Sequence, residues 1–185
     1  MTRFLVLLGL LLAGCASTPL NYYTLAFVAG VPQSSLPLVI ELRRVGVAAY
    51  LDRPEIVRSP TAYRLQVSDV ERWAEPLGRM LERVFAEDLV QRLPGASVFA
   101  ESGRISADAD RVIELDIQRL DADDAGNVVL VAQLAVRRDG RSRPVARILR
   151  LTAPALPGLP MAAVVSVLVG QIADAAAGLV AGQGG

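Results

Sequence analysis

Cys15 is the one strong nucleophile among the side chains of this sequence, and its surroundings direct it to a single kind of chemistry. There is no histidine and no lysine: all 19 basic residues are arginine, and Cys15 is the single cysteine. Ser-His-Asp and Cys-His nucleophiles need an imidazole, Ser-Lys and Schiff-base mechanisms need an amine, and zinc sites draw on His and Cys. None of these can be assembled here. A carboxylate pair of the glycosidase kind survives the exclusion, but acids scattered over a surface are far commoner than acids set in a cleft for catalysis. The expectation is a protein that is not an enzyme and that carries no metal or cofactor.

What precedes Cys15 is a leader. Residues 1–3 carry one positive charge, residues 4–12 are apolar, and small residues follow, which is the layout of a secretory signal and too short for a comfortable membrane span. The stretch ends Leu12-Ala13-Gly14-Cys15, which resembles the lipobox of bacterial lipoproteins, where a signal peptidase recognises the residues before the cysteine and cuts in front of it. A thiolate is a good nucleophile for a diacylglycerol, and the freed amine takes a further acyl chain such as palmitate. At about 0.8 kcal/mol per buried methylene, two or three chains make a durable anchor. A lone cysteine cannot close a disulfide within its chain. In the lipoproteins this leader resembles, an aspartate after the cysteine retains the protein in the inner membrane; Ala16 here favours the outer membrane, facing the periplasm. The expected organisation is a signal peptide over residues 1–14, a lipidated tether over 15–21, and one domain over 22–182. Seven extended tether residues reach at most about 25 Å, so the domain works close to its membrane.

The elements of that domain are read from periodicity. Composition bounds them first: 185 residues, 52% hydrophobic, formal net charge zero. This is one globular domain with no field to draw it to nucleic acid. Residues 22–28 and 38–47 read as strands with a Gly/Pro/Ser loop between them, and residues 56–58 and 63–67 as a hairpin turning at Ser59-Pro60, with Tyr63, Leu65 and Val67 on one face. Pro76 opens an amphipathic helix carrying Leu77, Met80, Leu81, Val84, Phe85, Leu89 and Leu93, which Pro94-Gly95 ends. A short strand follows at 97–100. Residues 111–120, 128–137 and 143–152 read as an antiparallel meander with turns at 123–127 and at Asp139-Gly140, Ile113, Leu115 and Ile117 facing the core. Residues 161–180 are almost wholly apolar. Gln171 and Asp174 near the middle, and the many alanines and glycines, favour a buried helix over a spanning one. The fold class expected is α/β (α+β): a mostly antiparallel sheet packed against two main helices, at about 75–93 and 161–181.

Three other constellations invite chemistry. Asp121, Asp123 and Gly126 match positions one, three and six of a calcium loop, but Ala125 and Ala132 occupy the fifth and twelfth, so a hairpin turn explains them better. Arg137, Arg138, Arg141, Arg143, Arg147 and Arg150 concentrate guanidinium groups that meet either headgroups or carboxylates, or simply solvent. Trp73 is either a ring packed over the helix start with its N–H bonded to backbone, or an exposed partner anchor.

Tyr22-Tyr23-Thr24-Leu25 after the lipobox, the run from Tyr50-Leu51-Asp52-Arg53-Pro54 to Val57, and Arg72-Trp73-Ala74-Glu75-Pro76-Leu77 before an amphipathic helix together resemble the ABC-type transport auxiliary lipoproteins of the PqiC or YmbA-like kind. Ala48 departs from that pattern, which carries a proline there. The resemblance implies a non-enzymatic envelope lipoprotein that works with an MCE-domain protein and its ABC transporter and permease in moving lipid between membranes, and it leaves room for a homo-oligomer. Tyr50, Asp52, Arg53 and Trp73 are the candidates for a partner interface. The alternative is a periplasmic module that carries phospholipid in a groove under the C-terminal helix.

Overall fold

The structure, a computed structural model, describes residues 18–34, 37–104, 107–138, 143–155 and 157–182; Leu12, Ala13, Gly14 and Cys15, the Asp139-Gly140 turn and Arg141 lie outside them. Among the described residues are nine strands, β1 (Asn21–Tyr23), β2 (Val39–Leu42), β3 (Gly46–Val47), β4 (Glu55–Thr61), β5 (Arg64–Trp73), β6 (Ser97–Ala100), β7 (Arg111–Ala122), β8 (Asn127–Arg138) and β9 (Val145–Pro154). Two helices, α1 (Leu77–Arg92) and α2 (Met161–Gly182), complete them.

All nine strands join one mixed sheet whose spine is β7. One edge of β7 pairs antiparallel with β8 along its length, and β8 with β9, as the alternating meander sequence requires. The other edge of β7 takes β2, β3 and β4 in succession, each parallel to it. The sheet continues from β4 to β5, antiparallel, and from β5 to β1, parallel. The long pairings are therefore antiparallel, and the parallel ones, including that of β2 with β6, span no more than four residue pairs each.

Alternation then decides the faces. Ile113, Leu115 and Ile117 of β7 with Leu130, Ala132, Leu134 and Val136 of β8 form a buried inner face. Glu114, Asp116 and Gln133 point the other way, to a wet face. Both helices pack on the inner face: α1 through Met80, Leu81, Val84, Phe85 and Leu89, and α2 through Val165, Leu168, Val169 and Ile172, all at 0% exposure. Each such side chain contributes about 1.5–3 kcal/mol by leaving water. By length and mean hydropathy α2 is apolar enough to cross a membrane, yet 67% of its most apolar stretch is buried in this fold. Its exposed strip is Val167, Gln171, Asp174 and Gly178. Gly178 and Gly182, four residues apart on α2, line no close contact: a Cβ at either would meet nothing within 4 Å.

Several sequence expectations need correction. The strand expected over 22–28 stops at Tyr23, because the following backbone is satisfied by helix side chains: the N–H groups of Leu25, Ala26 and Val28 donate to Met80 Sδ (3.3 Å), Ser166 Oγ (3.1 Å) and Asp88 Oδ1 (3.0 Å). The strand expected over 38–47 is two, since Arg44 N–H turns away to Glu101 Oε2 (3.2 Å) between β2 and β3. The hairpin does not turn at Ser59-Pro60, which lie within β4, but at residues 62–63. Pro60 is tolerated there because the register shifts between Arg58 and Thr61, and a proline lacks only the N–H that an irregularity leaves unpaired. β5 also runs on past Val67 to Trp73.

Candidate functional site

Three chain segments far apart in sequence meet at one end of α1. β5 ends at Trp73, whose N–H donates to Pro54 O (2.6 Å), and Ala74 N–H donates to Tyr23 O (2.8 Å), so the end of β1 and the loop after residues 49–51 close on the start of the helix. Pro76 sits as the helix N-cap, its carbonyl accepting from Arg79 N–H (3.0 Å) and Met80 N–H (3.1 Å). Between them lies a surface pocket of about 400 Å³ lined by Tyr22, Asp52, Arg53, Pro54, Trp73, Ala74, Glu75 and Pro76.

Trp73 is 4% exposed and belongs to the core, so it is the floor of this pocket and not an exposed anchor. Its indole N–H makes no hydrogen bond among the described residues and is not sealed from solvent, contrary to the expected backbone bond. Tyr22, 63% exposed, and two prolines give apolar walls. On the rim, Glu75 is held by Arg83 (2.8 Å), while the exposed Asp52 and Arg53 make no side-chain hydrogen bond or ion pair among the described residues. An apolar hollow beneath an unpaired acid and an unpaired guanidinium is suited to seat one apolar side chain of a partner between polar contacts. Its lining holds no serine, threonine or cysteine, and among the described residues no cluster of acids, His or Cys could hold a metal ion.

Tyr50 does not join that pocket. Its hydroxyl donates to Asp121 Oδ2 (3.1 Å) and accepts from Leu120 N–H (3.3 Å), tying the turn at residues 49–51 to β7. Asp121 is 1% exposed and is gripped by Arg119, whose Nη2 lies 2.8 Å from Oδ1. Burial, with the negative charge of Asp121 beside it, pushes the Tyr50 phenol up to about 12. Ala48, the departure from the family pattern, has φ −57° and ψ 143°, a backbone that proline adopts readily, but its N–H donates to Ile117 O (2.8 Å), which a proline could not do.

Of the other constellations, Asp123 accepts from Asn127 N–H (2.7 Å) and Asn127 Nδ2 (3.1 Å), which makes the β7–β8 turn, with Gly126 at φ +80°. Arg137 is paired with Glu114. Arg147 and Arg150 are exposed on the edge strand β9.

One group the sequence reading passed over is Arg92, 1% exposed at the end of α1. Its Nε donates to Asp174 Oδ1 (2.5 Å) and its Nη1 to Val28 O (2.9 Å), with Asp88 Oδ1 at 3.8 Å. It joins both helices to the segment leading from β1. Burial raises the Asp88 carboxyl above its ordinary value. The signal was present: Asp88 and Arg92 fall on the apolar stripe of α1, four residues apart.

The fold has solved counterparts. The chain is similar to the protein XCC0632 from Xanthomonas campestris, family DUF330, at 20% identity and a TM-score of 0.72, covering 88% of this chain and 97% of that one. A crystal structure of an uncharacterised protein matches at 17% identity and a TM-score of 0.69, covering 90% and 99%. Both likenesses are of fold. No curated protein matches the sequence. The family model described as ABC-type transport auxiliary lipoprotein component matches residues 23–177, nearly all of the domain and all three pocket segments but for Tyr22, and the chain therefore belongs to that family.

Proposed function

We propose that this protein is a non-enzymatic adaptor, cut before Cys15, lipidated there, and held at the periplasmic face of the outer membrane, where it docks an MCE-domain protein of an ABC-linked lipid transport system. Membership of an auxiliary transport lipoprotein family supports an envelope component that assists a transporter. The observation that carries the docking role is the convergence of Tyr22, Asp52-Arg53-Pro54 and Trp73 to Pro76 on one pocket with an apolar floor and unpaired charges on its rim. A partner that presents an apolar side chain flanked by polar groups satisfies both.

The alternative, phospholipid carried under the C-terminal helix, is weakened by packing. Val165, Leu168, Val169, Ile172, Ala173, Ala176, Ala177 and Val180 of α2 are at 0% exposure, so that interface is filled with protein. Crosslinking of intact envelopes followed by purification of this lipoprotein should recover an MCE-domain protein. Recovery of the lipoprotein alone overturns the adaptor role, and bound phospholipid in native mass spectra of the delipidated domain would restore the carrier.

A further inference from the structure

The β4–β5 hairpin runs out alongside the end of β7, and its tip forms one wall of a surface hollow whose other wall is Gln118, Arg119 and Asp121. β4 pairs with β7 in the sheet only at Arg58 opposite Ala122, where β7 ends, and residues 61–67 are exposed on both faces of the hairpin. Along one face of β5, exposure rises toward the turn, from 36% at Val67 to 50% at Leu65 and 101% at Tyr63. Arg64, between them, makes no ion pair among the described residues. A hairpin that grows more apolar and more exposed toward an aromatic tip loses free energy in water, unless something covers it.

The direction of β1 says what lies there. β1 runs parallel to β5, with Asn21 beside Glu71, so passing back from Asn21 toward Cys15 leads the same way as passing back from Glu71 toward the hairpin turn. Six residues separate Asn21 from Cys15, a greatest reach of about 20 Å. Seven separate Glu71 from Arg64, about 23 Å at the rise of a strand. A tether drawn out in that direction brings Cys15 level with the hairpin turn.

We propose that the tip of the β4–β5 hairpin rests on the phospholipid surface that holds Cys15, with Tyr63 and Leu65 in the interfacial layer and Arg64 at headgroup phosphates. The proposal rests on Cys15 being the lipidated residue. Tyrosine favours the interfacial layer because its ring is apolar and its hydroxyl wet, and a guanidinium fork matches a phosphate. Contact at two points, lipid and hairpin, orients the domain on its membrane, which attachment at one point alone cannot do. Asp124, exposed on the adjacent β7–β8 turn beside residues 59–62, favours a surface rich in zwitterionic lipid.

The test is Tyr63→Trp in the full, lipidated chain, bound to vesicles of phosphatidylethanolamine with a minor part of phosphatidylglycerol and acyl chains brominated near the headgroup. The native indole, buried at Trp73, is the internal reference. The added indole should lose about half of its emission to bromine, as an interfacial aromatic does, while the unsubstituted protein stays nearly unquenched. Lipidated, vesicle-bound Tyr63→Trp protein quenched no more than the unsubstituted one overturns the proposal, whether the tip stands in water or is covered by a second copy. A chain that carries no lipid on Cys15 and leaves the vesicles overturns the anchor reading, and this proposal with it.

Discussion

The helix-clad side of the sheet and the β4–β5 end of the molecule are built from similar residues to opposite effect. On the helix side, the apolar groups that face the sheet are covered, and even a guanidinium, Arg92, is closed in by two helices and the segment after β1. Along the β4–β5 hairpin, Tyr22 at its base and Tyr63 and Leu65 at its tip face outward, and Asp52 and Arg53 at the base and Arg64 near the tip make no ion pair among the described residues. Satisfied groups hold the fold and unsatisfied ones are left to meet something else. The family name speaks of assistance to a transporter, and the second region is the one that the adaptor proposal assigns to contact.

The contrast breaks most readily at Arg92. Arg92→Ala leaves Asp88 buried without its cation and Val28 O without its donor, and should cost about 3–5 kcal/mol in urea unfolding. A loss below about 1 kcal/mol would mean that the charge is not part of the core. Leu168→Ala opens a cavity between α2 and the sheet and should cost about 2–5 kcal/mol. Tyr50→Phe removes a hydrogen bond to a charged carboxylate and the acceptor of the Leu120 N–H, and should cost about 1.5–3 kcal/mol near neutral pH.

Its signature lies in alkali. The phenol is raised from 10 to about 12 in the folded protein, so its contribution is complete below pH 10 and is lost as pH rises to 12. No lysine titrates in that window. Stability followed by circular dichroism should fall between pH 10 and 12 in the native chain, and less steeply in Tyr50→Phe; equal slopes would detach Tyr50 from that loss. The smallest effect on stability belongs to the rim: Asp52→Ala with Arg53→Ala should shift unfolding by less than about 0.5 kcal/mol. The same pair should weaken partner capture about tenfold, measured as recovery from crosslinked envelopes.

How far the sequence spoke for itself differs between the two regions as well. The periods of α1 and of the β7–β9 meander are local, and turn residues bound them, so those elements stand within two or three residues of their expected ends. The parallel partners of β7 were not legible. β2 and β3 have four and two residues, too short for a period, and their pairing with β7 is decided by contacts some seventy residues away in sequence. Ser59-Pro60 looked like a turn because proline usually ends a strand, and a register shift removed that reason. At the site, Asp52, Arg53 and Trp73 were found through the family segments and do share one pocket, whereas Tyr50, from the same run, serves the fold. Tyr22, Pro54 and Pro76 carry no chemical mark in sequence, and only the closing of three segments makes them walls.

The most direct test places a photo-crosslinking side chain on the pocket rim, Arg53→p-benzoylphenylalanine, in the full chain in intact envelopes. Illumination should join the lipoprotein to an MCE-domain protein, and the same group at exposed Val90 on α1, away from the pocket, should not. A membrane-retained protein that crosslinks to no MCE-domain partner from position 53, or does so equally from position 90, would contradict the assignment of the pocket as the docking site.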